Sequence, residues 1–251
     1  MASPSRDARA AFEQTLELLW NPSVRPARGP KPRLSRERIV EAAIELADGE
    51  GLAAASMRAV ARALGVGTMT IYRYVPSKDA LTDLMLDAVL AAQPNADDLP
   101  GDWRAQLEAV ARIDLALYLR HPWVLEISST RPPLGPGTLD TYEAVLRAID
   151  GSGLPRAELN AAVTALAAYV RGAAQAELTR RRTIRDSGLT DEEWWSARNQ
   201  FWERYFDPER YPTITAIYAS GAFEDPPDPF EWGLQRLLDG IAARLPAGRA
   251  R

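Results

Sequence analysis

The chain has 251 residues, of which 46% are hydrophobic and 25% charged, the composition of an ordinary folded protein with one or two domains. It has no cysteine and one histidine, His121, which excludes disulfides, cysteine nucleophiles and metal centres built on thiolates or several imidazoles. The formal net charge of −4 argues against a nucleic-acid binder unless the basic residues are clustered. The sequence contains neither a stretch of roughly 18 apolar residues nor a secretory signal, so we expect a cytoplasmic protein without membrane contact.

The N-terminal residues 1–32 are predicted to form a flexible basic extension. Phe12 and Leu16 follow helical spacing, so a short amphipathic helix can form within it. Residues 21–33 contain four prolines, and the stretch 21–38 carries six basic residues against one acidic residue. Positive charge on an irregular segment attracts phosphate groups, and Arg33 is a candidate DNA contact there.

The region around residues 56–75 has the pattern of a helix-turn-helix. A short helix is followed by a turn that contains Gly65 and by a second short helix, Thr68 to Tyr74. Residues 51–78 carry four basic residues and no acidic one, whereas residues 91–251 carry 18 basic and 23 acidic residues. The positive charge is therefore concentrated where phosphate contacts would be needed. On periodicity alone, a generic helical hairpin stays open as an alternative.

Serines mark the starts of the neighbouring helices. Ser35, Ser56 and Ser77 each precede an apolar stripe and are predicted N-caps. The helix that begins at Ser77 runs to about Gln93 and carries apolar residues throughout. It is expected to join the DNA-binding part of the chain to the part that follows.

The stretch from Leu64 to Leu81, LGVGTMTIYRYVPSKDAL, resembles the DNA-binding domain of the tetracycline-repressor (TetR) family of bacterial transcription regulators. The similarity is close over residues 33–92 and concerns the architecture over residues 100–245. In the second region, PFEWGLQRLLDGI (Pro229 to Ile241) is similar to the final dimerisation helix of the tetracycline repressors proper, and the tripeptide TRP falls where that subclass carries it. The resemblance implies an all-α protein with an N-terminal three-helix helix-turn-helix domain and a larger helical regulatory and dimerisation domain.

The resemblance also implies a set of DNA contacts to a double-stranded operator. Hydroxyl, methyl and guanidinium groups on the recognition helix suit contacts to base edges and phosphates, and a lysine at the next helix start would face phosphate. Together with Arg33, the matching positions are Arg58, Thr68, Met69, Thr70, Tyr72, Arg73, Tyr74 and Lys78.

Residues 100–245 are predicted to be helical throughout, after a polar link from Gln93 to Gly101. One helix is ended by the His121-Pro122 dipeptide, and another begins with a capping box at Thr190. The predicted helices span residues 102–120, 123–129, 138–149, 155–182, about 190–202 and 229–245.

Two of these helices have the surface expected of a dimer interface. The helix 155–182 is rich in alanine, and the last helix carries an apolar stripe beside a glycine, so two copies could form a four-helix bundle. The alternative is packing within one chain. The predicted interface residues are Gly172, Gly233, Leu234, Leu237, Leu238 and Ile241.

The resemblance implies a small-molecule effector bound among the central helices. The candidate contacts are Trp123, Arg131, Tyr142, Tyr169 and Glu177. Tetracycline repressors hold the magnesium of the drug with a histidine before the TRP tripeptide, but this chain reads LEISSTRP there, with no histidine. The expected effector is therefore largely apolar and independent of metal, and no cofactor is expected.

Two other classes of function stay open on the sequence. A DNA-binding scaffold without an effector would be favoured by a pocket too small for a ligand. A helical enzyme acting on small molecules is a weaker alternative, because the chain has no phosphate-binding loop, dinucleotide fingerprint or nucleophile–base motif.

Overall fold

Helices make up the protein, as seen in a computed structural model that describes residues 6–21, 34–94, 99–127, 132–224 and 226–245. No strand occurs within these ranges, and the predicted all-α fold is confirmed. Two 3₁₀ turns lie at Leu52–Ala54 and Pro122–Glu126, the second in place of the helix predicted over 123–129. The α-helices are α1 (Arg6–Trp20), α2 (Arg36–Glu50), α3 (Met57–Ala63), α4 (Thr68–Tyr72), α5 (Lys78–Ala91), α6 (Trp103–Arg120), α7 (Pro136–Asp150), α8 (Arg156–Ser187), α9 (Asp191–Ser196), α10 (Asn199–Arg204), α11 (Pro212–Ala219) and α12 (Pro229–Ala242).

The three predicted serine caps are present and set the starts of α2, α3 and α5. The hydroxyl of Ser35 accepts a hydrogen bond from the backbone N–H of the third residue after it, and Ser56 and Ser77 do the same. The turn between α3 and α4 needs a left-handed residue, which Gly65 supplies with a φ of +67°. The helix-turn-helix is therefore built by local signals in the sequence.

One hydrophobic core joins α2 to α5. Ile39, Val60, Ile71 and Leu81, one from each helix, are fully buried in it. The same core includes Trp123, which comes from the 3₁₀ turn after α6. The N-terminal domain is thus packed directly against a residue of the following domain.

Helix α1 packs on the rest of the fold, which corrects the predicted flexible extension for residues 6–20. Leu19 is buried in the N-terminal core. The indole N–H of Trp20 donates to the carbonyl of Leu134, 2.8 Å away and just before α7. The guanidinium of Arg36 donates to two carbonyls at the end of α1. Residues 22–33, including Arg33, lie outside the described residues.

Truncation of Leu19 tests whether α1 contributes to stability. We expect Leu19→Ala to lower the free energy of unfolding by about 2 to 3 kcal/mol, because a buried leucine loses its packing and leaves a cavity. Phe12 lies on the exposed side of the same helix, so Phe12→Ala is the matched control. Urea titration of both variants measures the difference, and equal stabilities would show that α1 does not pack as described.

A second core holds the larger domain together. It is formed by α6, α7, α8 and α12, with Leu107, Ile149, Val170 and Leu234 fully buried. At the surface, the guanidinium of Arg112 on α6 makes a two-pronged ion pair with a carboxylate of α12, with distances of 2.8 and 2.7 Å. Helix α12 is therefore fixed within its own protomer.

Candidate functional site

One side of helix α4 packs on the N-terminal core, and the other side is exposed to solvent. Ile71 and Val75 are fully buried and anchor the helix to the N-terminal core. On the outer side, Met69 is 76% exposed, and Tyr72 and Tyr74 are also exposed although both are large. A short helix that uses one apolar side chain as an anchor and exposes the rest can enter a DNA major groove.

Basic side chains flank α4. Arg58 and Arg62 lie one turn apart on α3 and Arg73 follows α4, and all three are exposed. None of the three has an ion-pair partner among the residues that the structure describes. Arg62 was missed among the predicted contacts, although its spacing of four from Arg58 on a helix was a usable signal.

These residues form one surface, which we call the α4 face. Thr68 and Thr70, in the first turn of the helix, are half-buried and keep polar atoms near this surface. The α4 face consists of Arg58, Arg62, Thr68, Met69, Thr70, Tyr72, Arg73 and Tyr74.

Lys78 differs from the simple phosphate contact that the sequence predicted. Its ammonium donates hydrogen bonds to the carbonyls of Leu52 (3.2 Å) and Ala55 (2.6 Å), at the 3₁₀ turn before α3. Burial lowers the pKa of Lys78 from its usual value, and the neighbouring Asp79 opposes this shift. An ammonium has three N–H groups, so one is left for another acceptor. Lys78 therefore braces the turn that precedes the α4 face.

The predicted effector contacts are not brought together. Trp123 is buried in the N-terminal core, and Tyr169 donates a hydrogen bond of 2.7 Å to the carbonyl of Phe230 on α12. Tyr142 is exposed and donates to the amide of Asn160. Glu177, the fourth candidate that the structure describes, does not complete a site either.

Glu177 is engaged by its own helix. Hydrogen bonds from Arg180 and Arg181 lower the pKa of Glu177 to about 2 and hold its carboxylate at the surface of α8. Arg131 lies outside the described residues. The five candidate effector contacts were selected because they are aromatic or charged. Four of them instead make contacts that stabilise the fold.

A cavity of about 170 Å³ lies between α5, α6 and α7. Its apolar wall includes Leu90, Val110 and Val145, and its polar groups include Thr141 and Asp114. Desolvation raises the pKa of Asp114 to about 7. A larger and more open groove, of about 530 Å³, lies between α1, α2 and α5 and belongs to the junction of the domains.

Asp114 was missed from the sequence, although a signal was present. The apolar stripe of α6 runs through Leu107, Val110, Ala111 and Leu117, and Asp114 occupies the position where the next apolar residue belongs. A carboxylate at a core position of a helix indicates a site or a buried partner.

Two carboxylates tie the domains to each other. Oδ1 of Asp48, on α2, lies 2.7 Å from both His121 Nδ1 and Trp123 Nε1. Asp87, on α5, is buried and accepts hydrogen bonds from the backbone N–H groups of Gly137 and Thr138 at the start of α7. A carboxylate at a helix N-terminus also interacts favourably with the helix dipole. The orientation of α5 is thus coupled to both domains.

Most of the predicted dimer residues are used within the protomer. Leu234, Leu238 and Ile241 are buried against α6 and α8, so the prediction that they face a partner is corrected. A side chain at Gly233 would collide with Tyr169, 2.4 Å from its hydroxyl, so this glycine allows α12 to approach α8 of the same protomer. The apolar stripe alone could not distinguish the two kinds of packing.

The two other members of that set remain available. Leu237 is half-buried, and Gly172 is exposed on α8 with nothing near the position of a Cβ atom. Among the described residues, no helix is long and apolar enough to cross a membrane.

Comparisons with known proteins agree with this architecture. Residues 39–85 match the family model described as bacterial regulatory proteins, tetR family, and residues 94–245 match the tetracyclin repressor-like, C-terminal domain. These two ranges correspond to the helix-turn-helix region and to the larger helical domain.

Relatives and a solved structure are similar over most of the chain. The HTH-type transcriptional repressor DrrR1 of Streptomyces coeruleorubidus is 48% identical over 229 residues, which cover 91% of this chain and 84% of that protein. The class A tetracycline repressor from transposon 1721 of Escherichia coli is 27% identical over 218 residues, which cover 84% of this chain and 92% of that protein. The crystal structure of ActR from Streptomyces coelicolor in complex with actinorhodin has a TM-score of 0.69 and 26% identity, covering 87% of this chain and 99% of that one. The chain belongs to the TetR family and is a DNA-binding transcriptional regulator of the helix-turn-helix class.

Proposed function

We propose that this protein is a homodimeric repressor that binds a palindromic operator through the α4 face and is released by a small-molecule effector. It acts in the bacterial cytoplasm, where the operator lies, and it is not an enzyme. The observation that carries the proposal is the α4 face itself, on which three arginines without ion-pair partners in the described chain surround an exposed recognition helix. Unpaired positive charge beside a groove-sized helix suits phosphate and base contacts.

The relatives support both halves of this proposal. DrrR1 is named as a repressor, and ActR has been solved with actinorhodin bound, so a similar chain represses and a similar fold takes a small molecule. The cavity of about 170 Å³ is the space in which an effector would act here. Since α5 lines that cavity and also carries part of the N-terminal core, a ligand that shifts α5 changes the separation of the two recognition helices.

The dimer would form through the outer face of α8. Small residues are exposed along it at helical spacing, and small side chains allow two helices to approach closely. They are Ala161, Ala165, Ala168, Gly172 and Ala176. Two recognition helices on one rigid dimer would read half-sites about 34–36 Å apart.

Gly172→Arg tests the dimer and the operator together. Arginine is a better helix former than glycine, and a Cβ atom at this exposed position would have nothing within 4 Å, so the variant should fold. Its long charged side chain would block the close approach of a partner. A duplex selected by the wild-type protein from a random pool should be palindromic, and the variant should bind it at least about a hundredfold more weakly, as one half-site instead of two.

Sedimentation and fluorescence anisotropy make these measurements, and Gly172→Ala is the matched control because it keeps the face small. We expect the control to remain dimeric and to bind as the wild type does. An arginine variant that stays dimeric would place the interface elsewhere, and a wild-type protein that selects no common sequence would contradict operator recognition.

A further inference from the structure

Asp114, on α6 of the regulatory domain, has no polar partner among the residues that the structure describes. Its side chain is half-buried, and no hydrogen bond or ion pair reaches it within the described ranges. Its carboxylate nevertheless lines the cavity between α5, α6 and α7. Removing a charge from water without giving it a partner costs free energy even when the burial is partial, so a protein retains such a group where it has a use for it.

The groups around the cavity do not neutralise Asp114. The charged residue that shares the lining is Asp140 of α7, which is also acidic, and Asp87 of α5 is occupied in capping α7. Tyr118, one turn along α6, contributes a phenol whose pKa is raised by burial and by Asp114. Arg171 of α8 lies over the ring of Tyr118 and donates to the carbonyl of Leu125, so its guanidinium is engaged there.

We propose that the effector is an apolar molecule carrying one protonated amine, and that this amine pairs with Asp114 in the cavity. The inference rests on the proposed function, since it names the chemistry of the ligand that would release the operator. Leu90, Val110 and Val145 would contact the apolar part of the molecule. A charge-assisted hydrogen bond between the ammonium and the carboxylate would fix its orientation.

The size of the cavity limits what can enter it. Engineered protein cavities of about 150 Å³ accept a benzene ring, so about 170 Å³ suits one aromatic ring with a short amine substituent, or that end of a larger molecule. This refines the expectation of a largely apolar effector by adding one positive charge. It also argues against a scaffold with no room for a ligand.

Benzylamine is the probe, because it has the right size and charge, and benzyl alcohol is its neutral counterpart. Both are titrated into the full-length protein at pH 8 and pH 6, with binding followed by calorimetry and by chemical-shift changes. The variants are Asp114→Asn, which keeps the shape of the side chain, and Asp140→Asn, which removes the other carboxylate of the lining.

The wild type should bind benzylamine about tenfold or more tightly than benzyl alcohol at pH 8. Affinity for benzylamine should fall about tenfold at pH 6, because Asp114, with a pKa of about 7, becomes protonated while the amine stays charged. Asp114→Asn should lose both the preference and the pH dependence, whereas Asp140→Asn should keep them. The comparison of the two probes on the wild type does not depend on the folding of any variant.

The proposal is overturned if benzylamine does not bind, if benzyl alcohol binds equally well, or if Asp114→Asn binds benzylamine unchanged. A separate titration of the selected duplex distinguishes this result from the regulatory role. Asp114-dependent binding that leaves operator affinity unaltered supports the ligand chemistry and contradicts release by an effector.

Discussion

Removing the two arginines of α3 should abolish most of the affinity for DNA. Each of Arg58 and Arg62 is expected to contact phosphate, so the double variant Arg58→Ala/Arg62→Ala should bind the selected duplex at least about a hundredfold more weakly. The log–log dependence of affinity on salt should become shallower by about 2, since each phosphate contact contributes about 0.9. Fluorescence anisotropy at several salt concentrations measures both quantities.

A matched control separates this effect from the loss of positive charge in general. Arg156 and Arg185, on α8, are also exposed, so their double replacement by alanine removes the same charge from the other domain. We expect the control to keep the salt dependence of the wild type. A control that loses as much affinity as the α3 variant would show that overall charge, and not the α4 face, determines binding.

Loss of Asp48 should weaken the connection between the domains. Oδ1 of Asp48 lies within hydrogen-bond distance of both His121 and Trp123, so Asp48→Ala leaves two largely buried polar groups without their partner. We expect the free energy of unfolding to fall by about 2 to 6 kcal/mol, at about 1 to 3 kcal/mol for each unsatisfied group. Thermal and urea unfolding of the full-length protein measure the change.

Asp48→Asn is the informative control at this position. Its amide oxygen can still accept both hydrogen bonds but carries no charge, so the variant should lose much less stability than Asp48→Ala. If both variants are as stable as the wild type, the contact between α2 and the end of α6 does not hold the domains together. If both are equally destabilised, the charge of Asp48 matters more than its hydrogen bonds.

Local signals in the sequence predicted the helix-turn-helix well. Ser56 and Ser77 are caps because a serine hydroxyl satisfies a free N–H group at the helix start, whatever the rest of the chain does. Gly65 is a similar local signal, because it adopts a left-handed backbone conformation that other residues avoid. The outward-facing positions of α4 were expected from the family resemblance, and in the structure Ile71 is the buried residue of that helix while Met69 and Tyr72 are exposed.

Contacts between distant segments could not be predicted in this way. The docking of α1 depends on a hydrogen bond from Trp20 to Leu134, and the position of Lys78 depends on two carbonyls more than 20 residues earlier in the chain. The apolar stripe of α12 predicted burial but not whether Leu238 would meet its own protomer or a partner. For these residues the sequence is compatible with more than one packing arrangement, and only the tertiary structure shows which one occurs.

Hydrogen exchange on the full-length protein, with and without the selected duplex, tests most directly whether the α4 face binds DNA. Bound DNA should slow amide exchange within residues 57–74 and leave exchange in the outer helices α9 to α11 unchanged. Exchange that slows in α9 to α11, with residues 57–74 unaffected, would contradict DNA binding through the α4 face.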